Sequence, residues 1–217
     1  MRLSRREAIA AGGAFGVYLL TGCESSGGET AETTADGTTA SCVLAPEQTE
    51  GPYYVTNSPV RSDITAGRAG FPLALRLTVV DADGCRPIEN ATLEVWHCDA
   101  DGIYSGVNGD SETFCRGAQT SDADGKVVFN TVFPGWYTGR AVHIHVKAHV
   151  GGSEVHTGQL YFDEADLSRV YQQEPYASRG APDTSNASDG IYSQGGAEST
   201  LAIDGDVAQL TMGVRPT

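Results

Sequence analysis

Apolar and polar residues alternate with period two over much of the chain between residues 71 and 162, the mark of strands with one buried face. The clearest stretch is Arg140 to Val150 (RAVHIHVKAHV). Val142, Ile144, Val146, Ala148 and Val150 fall on one side, and His143, His145, Lys147 and His149 on the other, because successive side chains leave a strand on opposite faces. Ala91 to His97 (ATLEVWH) separates Leu93 and Val95 from Thr92, Glu94 and Trp96, and is broken by Asp101-Gly102. Phe71 to Asp81 is rich in branched apolar residues and runs into Asp83-Gly84, Lys126 to Val132 follows Asp124-Gly125, and Glu154 to Phe162 is a further strand candidate. Thr200 to Ile203, Asp204-Gly205 and Val207 to Val214 read as a final hairpin. One segment reads as a helix, Asp163 to Gln173, with an Asp cap, Glu164 and Asp166 in its first turn and Pro175 beyond its end. Residues 176–198 are polar and loop-like. Short strands, frequent turn signals and a single short helix predict a mainly β fold, a β-sandwich with long loops.

The N-terminal region follows another pattern. Arg2, Arg5 and Arg6 precede an apolar run from Ala8 to Leu20, too short for a bilayer span of ~20 residues and suited to a signal h-region. Ser4-Arg5-Arg6 resembles a twin-arginine export signal, which carries folded proteins. Leu20-Thr21-Gly22-Cys23 resembles the bacterial lipobox, making Cys23 the expected lipidation site; the alternative is an ordinary thiol beside a simple cleavage site. Residues 24–40 contain only Gly, Ser, Thr, Ala and acidic residues, the composition of a solvated tether. The expected organisation is therefore a signal peptide over 1–22, a lipidated Cys and flexible linker over 23–41, and one folded domain over 42–217. The expected location is the extracytoplasmic side of a membrane, cell surface or periplasm.

Composition narrows the picture further. The chain has 217 residues, 40% of them hydrophobic, and a formal net charge of −14. That is enough apolar material for a core, and the acidic balance argues against a nucleic-acid partner. Loss of residues 1–22 removes three Arg and one Glu and takes the charge to −16. Four further cysteines remain, Cys42, Cys85, Cys98 and Cys115, with no CxxC spacing. In an oxidising compartment an even count reads as two disulfides. Of the three pairings, Cys42–Cys85 with Cys98–Cys115 is preferred: the first would tie the start of the domain to an early turn, the second would close a loop around Tyr104.

Candidate chemistry centres on His143 and His145. Spaced by two on a strand, their Cβ atoms lie ~7 Å apart on one face, from two rises of about 3.3 Å, close enough to converge on one metal. The bland alternative is a pair of polar-face histidines meeting solvent. His149 shares their face at a spacing that suits an exposed or supporting position, and His97 and His156 read as structural. Three segments stand in order around the pair: Pro46-Glu47-Gln48-Thr49-Glu50-Gly51-Pro52-Tyr53-Tyr54, Trp96-His97-Cys98-Asp99-Ala100-Asp101-Gly102-Ile103-Tyr104-Ser105-Gly106, and Thr131 to His145 (TVFPGWYTGRAVHIH).

Together these segments resemble the intradiol ring-cleavage dioxygenases, the family of protocatechuate 3,4-dioxygenase and catechol 1,2-dioxygenase, most closely its exported members with short loops. The likeness runs from about Cys42 to Phe162. It implies the β-sandwich of that family and one non-haem Fe(III) per chain, held by Tyr104, Tyr137, His143 and His145. It also implies that Tyr137 acts as a base, that Arg140 is the active-site arginine, that Gln159 helps orient it, and that Tyr53 lies near the substrate mouth. The five residues between Tyr137 and His143 are fewer than in the intracellular enzymes, which leaves the pocket wall and the substrate open. The ligand set makes chemical sense, since Fe(III) is a hard ion that favours anionic oxygen with imidazole over thiolate. A bound trivalent cation would favour the phenolate of a tyrosine whose ordinary pKa is ~10. Without the histidines, Tyr104 would read as a turn aromatic and Tyr137 as a packing aromatic. Arg140 could equally form a surface salt bridge and Gln159 sit as a strand-surface amide, while Trp96 and Trp136 read as packing residues.

The resemblance implies cleavage of a catechol between its hydroxyl-bearing carbons, with both atoms of O2 entering a muconate-type diacid. Catechol and O2 would be the partners, with membrane contact only through the lipid, and the short loops and tether point to a monomer. The alternatives are an anchored β-sandwich binding module without a metal, and a zinc or copper site on the same histidine pair.

Overall fold

Seven of eight strands, and the one helix, form where the alternation and turn chemistry place them, in a computed structural model that describes residues 42–216. The expected signal peptide, linker and Cys23 lie outside the described residues. In chain order the elements are β1 (Pro72–Asp81), β2 (Thr92–Trp96), β3 (Arg116–Thr120), β4 (Lys126–Val132), β5 (His143–Val150), β6 (Ser153–Tyr161), α1 (Glu164–Val170), β7 (Ala202–Asp204) and β8 (Val207–Val214). Between α1 and β7 the chain makes four short 3-10 turns where the pattern showed only a polar loop.

The strands form two four-stranded sheets, ordered β4-β1-β8-β7 and β3-β2-β5-β6. The second is antiparallel throughout; in the first, β1 runs parallel to β8 and antiparallel to β4. Leu73, Leu75, Leu77 and Val79 of β1 and Val127 and Phe129 of β4 meet Leu93 and Val95 of β2 and Ile144, Val146 and Ala148 of β5 in one buried cluster. This is the expected sandwich. α1 packs Leu167 and Val170 inward, and Asp163 caps it by accepting the Ala165 N–H at 2.8 Å.

Strand β3 escaped the pattern because Arg116-Gly117-Ala118-Gln119-Thr120 does not alternate. It is made by its neighbours: Trp96 pairs with Arg116 and Thr92 with Thr120, and Val60 bridges to Ala118 on the far side. A Cβ at Gly117 would stand 2.6 Å from the Ile64 side chain, so the close approach needs glycine.

The cysteine pairing is half as expected. Cys42 and Cys85 are joined, with Cα atoms 5.4 Å apart, while Cys98 and Cys115 are separate buried thiols. The reason is register. The His97 N–H bonds to the Cys115 carbonyl, so Cys115 stands opposite His97, not Cys98. The Cys98 thiol packs with Trp96 and Tyr104 and donates to the Gly135 carbonyl at 3.2 Å; Cys115 packs with Phe114 and Val132. Peptide mapping after alkylation without reductant should recover Cys42 linked to Cys85 and Cys98 and Cys115 alkylated singly. Cys85→Ser should lower unfolding stability by about 2–4 kcal/mol, since the bridge spans 43 residues of sequence; an unchanged denaturation midpoint would contradict this.

Candidate metal centre

β5 carries the site. Its Val142-side residues seal the sandwich, so His143 and His145 point away from the core, yet they are only 2% and 1% exposed. The cover comes from three neighbours. The Trp96 indole, opposite His145 in the strand register, stacks on its imidazole at 4.9 Å with planes 4° apart. Tyr104 and Tyr137 close two further sides, with ring centroids 5.7 Å apart. Tyr53 stacks on Tyr104 at 4.4 Å and meets Tyr137 edge-on at 6.0 Å.

The polar atoms of this set converge. His143 Nε2 lies 3.1 Å from Tyr137 Oη and 3.1 Å from His145 Nε2. His143 Nδ1 donates to the Ala141 carbonyl at 2.6 Å. A carbonyl can only accept, so the proton sits on Nδ1 and the Nε2 lone pair faces the cluster. Tyr104 Oη is buried and, among the described residues, has no hydrogen-bond partner. A buried phenol oxygen without a partner, beside an imidazole lone pair with two polar neighbours, is what a bound cation would complete. The donor set is two imidazoles and two phenols. Among the described residues no group of three or more His, Cys, Asp or Glu could hold a metal ion, so oxygen from tyrosine is integral to any metal held here.

Burial keeps every one of these groups neutral. It pushes His143 down to about 3, with the Arg140 charge adding to the effect, and drives His145 well below its ordinary value. It raises Tyr137 to about 12 and Tyr104 well above 10, the latter aided by the Cys98 thiol and Tyr137. The phenolate form therefore depends on a cation.

Arg140 lies beside the cluster. Its Nε donates to Asp189 Oδ2 at 2.9 Å and its Nη2 to Gln159 Oε1 at 2.5 Å. Gln159 in turn donates to the Thr49 carbonyl at 3.0 Å, tying the segment before Tyr53 to the arginine. His149 lies past a register shift in β5 and contacts Glu94 Oε1 at 3.0 Å, outside the cluster. His97 bridges the Cys98 carbonyl and Thr131 Oγ1, and His156 contacts Glu47. Trp136 packs against the edge of the core and donates to the Gly180 carbonyl.

Two residues of the site carried no local signal. Arg116 is 2% exposed and, among the described residues, has no carboxylate partner; it donates to Ser105 Oγ and to the carbonyls of Ser105 and Tyr53. Asp189 stands in the polar 176–198 stretch and is also buried. Neither could be found from spacing, because each partner is distant in sequence.

The chain is thus a β-sandwich presenting a two-histidine, two-tyrosine cluster with an adjacent arginine. The family model described as "Dioxygenase" matches residues 49–172. An intradiol ring-cleavage dioxygenase from Tetranychus urticae is similar in structure, with a TM-score of 0.78, 34% identity, and coverage of 81% of this chain and 96% of that one. The dioxygenase domain of a carbohydrate-binding fusion from Streptomyces sp. SirexAA-E has a TM-score of 0.61 at 28% identity, covering 81% of this chain and all of the other. Chlorocatechol 1,2-dioxygenase of Pseudomonas sp. strain P51 is 30% identical over 139 residues, 54% of this chain and 55% of that protein. The chain spans about half the length of the curated relatives it matches. It belongs to the intradiol ring-cleavage dioxygenase family.

The buried neutral histidines set a pH dependence. The native values for His143, about 3, and His97, about 4, lie below the unfolded value near 6.5. Between those limits the unfolded chain binds more protons, so stability is full above about pH 6.5 and falls as pH drops toward 4. Urea midpoints for the metal-free protein should fall across that window. His97→Gln should lower the midpoint overall yet flatten the slope, and a slope equal to wild type would refute the account for His97.

Proposed function

We propose that this chain is a non-haem Fe(III) dioxygenase that cleaves catechol-type rings between the two hydroxyl-bearing carbons with O2, giving muconate-type diacids. The observation that carries the proposal is the convergence of His143 Nε2, His145 Nε2 and Tyr137 Oη within 3.1 Å contacts, beside the unpartnered Tyr104 Oη. Tyr104, Tyr137, His143 and His145 would hold the iron. Bound, it would supply Lewis acidity, a template for a chelating catecholate, and the means for the electron-rich ring to react with O2.

The residues divide the remaining work by their burial. Tyr104 is buried beneath Tyr53 and is placed to stay put. Tyr137 is only half-buried, so its ring can swing toward solvent. Its Oη, basic as a phenolate, takes a proton from an incoming catechol hydroxyl. The Nδ1–H bond to Ala141 keeps the His143 lone pair aimed inward throughout. Arg140 places a permanent charge beside the cluster, where negative charge develops on the substrate. Gln159 holds that guanidinium, and Tyr53 shapes the approach over Tyr104. The Arg140 charge is already matched by Asp189 at 2.9 Å, which favours catechols without a carboxylate. For the N-terminal region we infer export and lipid anchoring through Cys23; Cys23→Ala should then shift the protein from the membrane fraction to the soluble one.

Iron-loaded protein should be red-brown from phenolate-to-metal charge transfer, and catechol should shift that band. A zinc-loaded site would be colourless, and a binding module would retain no iron. Oxygen-18 from O2 should appear in both carboxylates of the product. Tyr137→Phe should keep part of the iron and slow turnover by roughly 10²-fold or more; unchanged turnover would refute the base assignment. Catechol and hydroxyl- or alkyl-substituted catechols should be cleaved faster than a carboxylated one.

A further inference from the structure

Resting on the dioxygenase reading, we propose that Asp189 is the positioning residue of the site, a buried carboxylate that orients Arg140 and the strand entry that carries His143. Asp189 lies beyond residues 49–172, which match the family model, in a stretch with no strand or α-helix. One of its oxygens does two jobs. Oδ2 accepts Arg140 Nε at 2.9 Å and the Ala141 N–H at 2.7 Å. The carbonyl of that same Ala141 accepts His143 Nδ1–H at 2.6 Å. A single carboxylate thus holds the guanidinium directly and stands one residue, Ala141, behind the imidazole whose lone pair faces the cluster.

The carboxylate is itself well held. Oδ1 accepts the Ile191 and Tyr192 N–H groups at 2.7 and 3.1 Å. Its side chain is 1% exposed, against 18% for Arg140. Burial alone would raise its pKa, but the N–H groups of Ala141, Tyr192 and Ile191, with Arg140, outweigh burial and leave it ionised. The surrounding segment is tied down on several sides. Ile191 accepts from Gln48, the Tyr192 ring meets Tyr161 edge-on at 4.9 Å, Asp183 accepts the Gly139 N–H, and Asn186 donates to the Phe162 carbonyl. Arg140 is therefore clamped from two directions, Gln159 on the sheet and Asp189 on the turns, which sets the plane of its guanidinium.

The first test needs no metal. In metal-free wild-type protein, proton–nitrogen correlation spectra should show the Arg140 Nε–H as a slowly exchanging resonance and His143 as the Nδ1–H tautomer. Rapid exchange of that Nε–H would overturn the proposal without any variant. Asp189→Asn, which presents an amide N–H to two donors if its carbonyl keeps Ile191 and Tyr192, should abolish the protected Nε–H signal. In iron-loaded protein it should lower kcat for catechol about 10- to 100-fold with KM changed by less than about threefold. Added to Arg140→Gln it should cost clearly less than it does alone, since both act on one interaction. Unchanged kcat, or fully multiplicative losses, would overturn the proposal. If iron-loaded wild type neither shows the visible band nor cleaves catechol, the dioxygenase reading fails, and the metal-free spectra still decide the role of Asp189.

Discussion

The site depends on one constraint, that β5 is buried on both faces while its side chains still alternate. Val142, Ile144, Val146 and Ala148 are locked into the sandwich core. A shift of one residue in register would throw the histidines into that core and the valines into the site. Core packing therefore sets where His143 and His145 point, far more rigidly than a loop could. The second face is buried in turn by Trp96, Tyr104 and the segment around Tyr53, so the imidazoles are cut off from water without touching the core.

Burial of this kind has an electrostatic consequence. With no cation present, two imidazoles and two phenols are stable only as neutral groups, and their shifts all run in that direction. The site is assembled from groups that tolerate dehydration uncharged and become strong ligands when a cation arrives. Carboxylates in the same place would repel one another when ionised. An acid nearby, Asp189, is set back behind Arg140 and Ala141, where four N–H donors satisfy it.

Much of this was legible in the sequence, and what was legible was local. β4 begins and ends where Asp124-Gly125 and the alternation put it, and the faces of β2 and β5 are those of the pattern. The histidine pair stood out by its spacing, Tyr104, Tyr137 and Arg140 by the ordered segments, and Gln159 through the family resemblance; the structure brings all six to one place. The helix proved shorter than Asp163 to Gln173, because Asp163 is its cap and Tyr171 its other end. The failures were non-local. β3 exists through pairing with β2, Cys98 and Cys115 are kept apart by a one-residue register offset, and Asp189 meets Arg140 across 49 residues of sequence. No periodicity encodes such contacts; they are products of the closed fold.

Arg116 shows how such a contact can shape the site from behind. A buried guanidinium without an acid partner is costly unless oxygen dipoles replace its water. Here the Tyr53 and Ser105 carbonyls and the Ser105 hydroxyl do so, although Nη1 has no partner. Those carbonyls belong to the two chain segments that carry the stacked Tyr53 and Tyr104 rings. The arginine therefore joins the backbones whose side chains lie 4.4 Å apart over the cluster, and the stack need not be held by ring contact alone. Lysine could offer the charge but not the second donor, Nε, that holds the Ser105 hydroxyl while Nη2 bonds both carbonyls. The placement of β3, which no local pattern announced, thus governs the more deeply buried of the two tyrosines, and leaves Tyr137 as the one free to move.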